Sequence, residues 1–256
     1  MSHHIKPLSV TSYLSGICQQ LEPYFPNVCS ACNSSLVNRT IKGCMCLRGT
    51  PTKRKCALTF SNLSTVVDDL VHSQNHDDLL FMAILLTEFF TLMRLGELYF
   101  PNDIKLWDWK KITKRSLVVI TEDQYEFHLP SHKADYFFEG NHIIVKKQQY
   151  CDLNPLSIFY TYLTSHDSNP LSLPLWLTSK ETIPTHHFFI SHMHHYFNCD
   201  IASQSIRAGG ATSLAEHGVP TSLIQLMGWW SSQAFLIYIR KNPVLIQALL
   251  FSSNHP

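Results

Sequence analysis

The sharpest local chemistry in this sequence lies in Gln204-Ser205-Ile206-Arg207-Ala208-Gly209-Gly210-Ala211-Thr212. Gln204 and Arg207 stand three apart and share one face of a helix. A guanidinium there can fork onto two oxygens of a phosphate, a geometry that a lysine ammonium lacks. Paired glycines cost a helix interior about 1 kcal/mol each relative to alanine. Close approach of another helix, or of a ligand backbone, must offset that cost. Further on, Gly228-Trp229-Trp230-Ser231-Ser232 leads into Phe235-Leu236-Ile237-Tyr238-Ile239-Arg240. By itself Tyr238 reads as an amphipathic core residue beside Phe235 and Ile239. Upstream, an apolar helix ends in Arg94, with Glu97 three residues on. By itself that pair reads as a cation facing the helix dipole with a local partner. Lys133, in Leu129-Pro130-Ser131-His132-Lys133-Ala134-Asp135, follows a predicted strand and by itself is a hairpin lysine.

The elements that must position these residues follow from periodicity and punctuation. Val10–Leu21 is the best helical stretch of the first fifty residues, which Pro23, Pro26 and a Ser/Asn-rich segment interrupt. Thr50-Pro51-Thr52-Lys53-Arg54-Lys55 has linker chemistry, and the character of the chain changes from Leu58. Ser61 is placed to cap a helix running to about His72. Asp77 and Asp78 suit the start of the next, Leu79–Met93, which is apolar almost all round and reads as the core helix. Leu117–Thr121, Tyr125–Leu129 and His142–Lys147 predict a small antiparallel sheet. Helices then return over Leu156–Thr164 and His192–Asn198. A helix capped by Ser203 stops at Gly218, and another from Pro220 stops at Gly228. A third, from Ser231 or Ser232, ends near Arg240, and Val244–Phe251 is a last short one. The expected class is α+β, mostly α-helical with a small antiparallel sheet.

Taken together, Arg94 with Glu97, the hairpin Lys133, the x-x-x-Arg207 helix, Gly-x-Trp230 and Tyr238 eight residues later resemble the tyrosine recombinase (phage-integrase) family in order and spacing. The wording Arg-Ala-Gly-Gly-Ala-Thr, Gly-x-Trp-Ser-Ser and Tyr-Ile-Arg is most similar to recombinases of Crypton-type eukaryotic mobile elements. The resemblance covers about residues 56–252 and implies a tyrosine recombinase catalytic-domain fold. It further implies that Tyr238 attacks a DNA phosphodiester, leaving a 3′-phosphotyrosyl link and a 5′-hydroxyl. Such covalent catalysis stores the bond energy, so neither a cofactor nor a metal is called for. Arg94 and Arg207 would clamp the nonbridging oxygens, and Lys133 would protonate the leaving oxygen. Trp230 would pack and hydrogen-bond against the phosphate where the family has His or Trp, and Glu97 would orient its neighbours. Double-stranded DNA is the implied partner, with self-association through the apolar C-terminal helix.

Two departures stand out. The family's His-x-x-Arg is here Gln204-x-x-Arg207, and glutamine can hydrogen-bond a phosphate but cannot transfer a proton near neutral pH. Residues 1–55 stand where the family has a full helical DNA clamp, so they read as a basic helical arm, a remnant of that domain, before a catalytic domain at 56–256. The alternative reading is a catalytically weak or inactive relative that binds DNA without cutting it.

Composition sets the remaining bounds. The 256 residues are 45% hydrophobic and 15% charged, a globular balance that excludes wholesale disorder. The 20 basic and 19 acidic residues give +1. That total hides a +6 arm (Lys6, Arg39, Lys42, Arg48, Lys53, Arg54, Lys55 against Glu22) and a −5 body. Such asymmetry suits an arm that meets a polyanion, and equally a solvated basic tail. Lys53, Arg54 and Lys55, with Lys110 and Lys111 beside Trp107, Trp109, Lys114 and Arg115, are the candidate DNA-backbone contacts, against the plainer reading of solvated loops. Cys29-x-x-Cys32 with Cys44-x-Cys46 approaches zinc spacing, but the second pair is too tight, and no metal site is assigned. His192-Met193-His194-His195 and His186-His187 read as surface helix starts rather than ligands. Leu79–Met93 contains Glu88 and is too short to span a bilayer. The start of the chain has no apolar run after a basic one, and the eight cysteines suit reduced thiols, so the expectation is an intracellular, nuclear protein without a membrane segment.

Overall fold

The computed structural model describes residues 5–50, 55–132, 135, 137, 139–148, 153–166, 170, 173–198, 200–232 and 235–236. The chain divides into two compact units, Met1–Arg54 and Lys55–Pro256. In the first, α1 (Pro7–Leu21), α2 (Val28–Cys32) and α3 (Ser35–Arg48) pack on one another. Pro7 sits in the first turn of α1, where its missing N–H is no loss. Ser34 caps α3 by accepting from the Val37 N–H at 3.5 Å. Cys18 of α1 lies beside Cys29 and Cys32 of α2. Burial and these two neighbouring thiols push its own thiol up to about 11, with the Cys32 hydrogen bond the largest cause. Among the described residues no group of three or more His, Cys, Asp or Glu is arranged to hold a metal.

The second unit is built around α5 (His76–Thr91), which packs against α4 (Phe60–Leu70), α6 (Pro155–Thr164), α8 (Ser203–Glu216) and strand β3 (Asn141–Lys146). Its apolar residues are buried around most of its circumference, as a helix enclosed on all sides requires. Asn75 caps it, accepting from the Asp77 N–H at 3.0 Å, and Asp77 and Asp78 occupy the positive first turn. The helix starts three residues before the apolar run and ends at Thr91, because Leu92 adopts a left-handed conformation (φ 57°) that breaks the helical ladder. Ser61 is not the cap of α4. Thr59 is, in a reciprocal box with Asn62, and Ser61 lies inside the first turn.

The sheet has the order β1 (Val119–Ile120), β2 (Gln124–Leu129), β3, antiparallel throughout, with Tyr125 opposite Val145 and Phe127 opposite Ile143. Burial alternates along β2, so Tyr125, Phe127 and Leu129 enter the core beside Ile143 and Val145 of β3. Tyr125 stacks on Phe159 of α6 at 3.9 Å and its hydroxyl meets Thr87 of α5 at 2.8 Å, which ties sheet and helices together. α7 (His186–Tyr196) starts six residues before the expected His192 because Thr185 supplies the cap, accepting from Phe188. His192 to His195 therefore lie in its later turns, not at a helix start. His192 stacks against Phe81, and its Nδ1 lies 2.8 Å from the Phe188 carbonyl. α9 (Thr221–Met227) runs between Pro220 and Gly228 as the punctuation predicts. The expected helices from Ser231 or Ser232 to Arg240 and over Val244–Phe251 lie almost wholly outside the described residues. Among the described residues no helix is long and apolar enough to cross a membrane.

Candidate active site

Three separate stretches of chain meet at one cavity. The first is the exit from α5. After Leu92 the backbone becomes extended at Arg94 and closes a 3-10 turn over Leu95–Glu97. One Glu97 carboxylate oxygen accepts the Arg94 backbone N–H at 2.9 Å, and the other faces the Arg94 guanidinium at 3.5 Å. Arg94 is thus not the last residue of the helix answering its dipole, as the sequence alone suggests. It stands beyond the helix end, held by the mostly buried carboxylate of Glu97, with its side chain 30% exposed.

The second stretch is α8. Gly209 and Gly210 let it approach the rest of the core at backbone distance: a methyl group at Gly209 would overlap the Leu58 carbonyl, and one at Gly210 the Phe89 carbonyl. The contact is with the protein's own backbone, so of the two explanations for the glycine pair packing is the one realised. The Leu58 N–H donates to the Ser205 carbonyl at 2.8 Å across this seam. The approach buries Arg207, only 8% exposed, while Gln204 three residues earlier stays exposed at the rim.

The third stretch follows α9. The Gly228 carbonyl accepts a hydrogen bond from Arg207 Nη2. The Trp230 ring folds back across the Gly228 α-carbon, where any side chain would overlap it, and lies 4.2 Å from the Arg207 guanidinium carbon. A flat cation over an indole face gains electrostatically, more so when both are shielded from water. Between the two, Trp229 adopts a left-handed backbone (φ 49°) and stacks on His132 at 4.3 Å. A non-glycine residue there costs roughly 1–2 kcal/mol. The reversal lets consecutive indoles serve different neighbours, His132 and Arg207.

The cavity, about 370 Å³, is lined by Glu88, Arg94, Leu95, Gly96, Tyr99, Ser203, Gln204, Arg207 and Trp230. Arg94, Gln204, Arg207 and Trp230 thus converge although Arg94 lies more than a hundred positions from the rest. A second cavity of about 430 Å³ adjoins at Arg94 and Gly96 and is bounded by Glu97, Lys111, Ser131 and His132 among others. Lys111 reaches that wall and pairs with Asp108 at 3.6 Å, and Lys110 is exposed in the same turn. Arg115, also offered as part of this patch, donates to the Leu163 carbonyl at 2.8 Å and so has a structural contact. Lys53, Arg54, Lys133 and Tyr238 lie outside the described residues, whereas Lys55 lies within them. Glu88, Tyr99, Ser203 and His132 are not assigned to a site by the sequence reading. Glu88 carries a usable signal, a charge inside an apolar run.

No family model and no curated protein matches the chain. Solved structures do. XerA recombinase is 14% identical, with 98% of this chain covered, 84% of that one, and a TM-score of 0.58. XerH site-specific recombinase bound to palindromic difH substrate is 12% identical over 98% of this chain and 73% of that one, TM-score 0.55. The Tn1549 transposon integrase in complex with circular intermediate DNA is 13% identical over 96% and 79%, TM-score 0.50. The fold is that of the tyrosine recombinase catalytic domain. In this recombinase-like fold the sheet and α4 to α9 are scaffold for a cavity with two guanidiniums, an indole and an amide on its walls. That set can hold a tetrahedral anion by forked hydrogen bonds and can stabilise added negative charge on it.

Proposed function

We propose that this chain is a tyrosine recombinase that breaks and rejoins double-stranded DNA. The observation that carries the reading is the convergence of Arg94, Gln204, Arg207 and Trp230 on one cavity, within a recombinase fold. The Tyr238 hydroxyl gives up its proton to solvent as its oxygen bonds to a backbone phosphorus, and the bond from that phosphorus to the 5′-oxygen breaks. Lys133 gives that oxygen its proton, and the new 3′-phosphotyrosine keeps the energy for rejoining. Arg94 and Arg207 hold the nonbridging oxygens, with Glu97 setting the pose of Arg94 and Trp230 that of Arg207. The basic residues of the first unit, with Lys55, Lys110 and Lys111, meet the DNA backbone, and that unit acts as the arm of a DNA clamp. Similarity in wording to Crypton-type elements supports a mobile-element recombinase working in the nucleus, and the apolar Val244–Phe251 segment supports self-association on DNA.

A second reading, DNA binding without cleavage, is favoured by one specific observation: the exposed rim position of the cavity carries Gln204, which cannot move a proton. A nicked oligonucleotide carrying the target site separates the two. Cleavage predicts a covalent protein–DNA adduct with the wild-type chain and none with Tyr238→Phe. An adduct that persists in the Phe variant removes Tyr238 as nucleophile, and a complete absence of adduct alongside retained DNA binding selects the second reading.

A further inference from the structure

Glu88 is out of place in an apolar helix. It is only 1% exposed, on the core-facing length of α5, yet it forms part of the cavity wall. Its carboxyl accepts the Leu95 backbone N–H, at the turn that carries Arg94 and Glu97. Its Oε2 is buried and has no hydrogen-bond partner among the described residues. The charged and titratable groups that face it are Arg207 from α8, the Glu97 carboxylate from the turn, and the Tyr99 hydroxyl. Arg94 lines the same cavity. An unpaired buried oxygen is costly whether the carboxyl is charged or neutral, and Glu88 stands on the wall of a cavity with room for a partner group.

The identity of that group follows from charge. A carboxylate on the wall of a cavity meant for a phosphate would repel the ligand. A protonated carboxyl there has an O–H with nothing to donate to, and an anionic oxygen is the acceptor it lacks. Burial, the largest influence, pushes the Glu88 carboxyl well above the usual carboxylate range. Nearby Glu97 adds to this, while Arg207 and the Leu95 N–H oppose it. Among the described residues of the cavity wall, Gln204 and Trp230 carry no group that titrates in the physiological range.

We propose that Glu88 binds the phosphate as a neutral carboxylic acid, donating its carboxyl proton to a nonbridging oxygen, and that this makes anion binding in the cavity depend on pH. This rests on the cavity being a phosphate site. Exposed Gln204 can contribute only an amide, and Glu88 supplies from inside the fold an acidic hydrogen-bond donor. As pH rises the carboxyl loses its proton to solvent, and the resulting carboxylate expels the anion.

Sulfate is a suitable probe because it is tetrahedral and its charge is fixed from about pH 5 to about pH 10. Its affinity for the full chain, read from tryptophan fluorescence, should fall with rising pH by up to about tenfold per pH unit, the limit for one proton. Glu88→Gln, a permanent neutral donor, should lose that component of the slope and bind more tightly than wild type at the alkaline end. Glu88→Leu, which cannot donate, should lose the slope as well but bind more weakly than the Gln variant at every pH. An unchanged slope in Glu88→Gln, or equal binding by the Gln and Leu variants, overturns the proposal. Sulfate binding that survives both Arg94→Ala and Arg207→Ala instead overturns the phosphate cavity itself. Should both Glu88 variants fail to fold, the wild-type infrared spectrum decides. A protonated-carboxyl band that shifts on adding sulfate supports the proposal, and absence of such a shift refutes it.

Discussion

At residue 228 the missing side chain has a direct electrostatic consequence. Gly228 lends its carbonyl to Arg207 and leaves its α-carbon bare for the Trp230 ring, so one small residue positions both partners of the buried guanidinium. Burying a cation without such partners is severely unfavourable. Gly228→Ala should therefore push the indole off Arg207 and destabilise the fold by about 1–3 kcal/mol, as overpacking does. Denaturant unfolding with tryptophan fluorescence gives both readings at once, and an unshifted midpoint would contradict the assigned ring position. The Gly-x-Trp spacing is visible in the sequence, but its reason is not. The ring must fold back over its own chain, and a linear pattern does not record that.

Among the elements, α8 shows how close packing sets up chemistry. Its hydrophobic pattern is weak, and two glycines within it argue against a stable isolated helix. Tertiary approach at Leu58 and Phe89 reverses that balance, because only glycine lets the backbones come so near. Gly209→Ala and Gly210→Ala should each cost more than the gain of about 1 kcal/mol that alanine brings to an unconstrained helix, lowering the urea midpoint. A stabilised Gly209→Ala protein would sink this account of the seam. The other end of α5 is held by His76, whose Nδ1 lies 2.7 Å from Ser165 Oγ and whose Nε2 lies 2.9 Å from the Leu177 carbonyl. Burial, outweighing the Leu177 hydrogen bond, holds its imidazole below the usual histidine range. The folded form thus binds its proton less readily than the unfolded form. The corresponding stability is complete above about pH 6.5 and is lost as pH falls below it toward the folded value. Unfolding free energies across that window should show the acid decline in wild type and a shallower one in His76→Gln.

For the whole molecule, net charge is the poorest guide and its distribution the better one. The first unit carries +5 and the second −4, although the total is +1. If those cations neutralise DNA phosphates, replacing Arg39, Lys42, Arg48, Lys53, Arg54 and Lys55 by glutamine should flatten the dependence of log affinity on log salt. Each lost contact should remove about 0.9 from the slope. A slope equal to that of the wild type would reduce the arm to a solvated tail.

The sequence by itself determined the class of fold, the strand alternation, the end of α1, the bounds of α6 and α9 within a residue or so, and the chain order of Arg94, Arg207 and Trp230. These are local: a pleat repeats every two residues, and caps act within one turn. Thr59 displaced Ser61 as a cap only because two adequate candidates lay two residues apart. Tertiary structure decided everything that depends on distant segments meeting. It turned Arg94 from a helix-end cation into a cavity residue, matched the glycine pair to the protein's own backbone, stacked Trp229 on His132, and put Glu88 where its charge matters. The physical reason is that burial and pairing belong to a location in space. A charged residue in an apolar run reads as an anomaly until the cavity it faces is known.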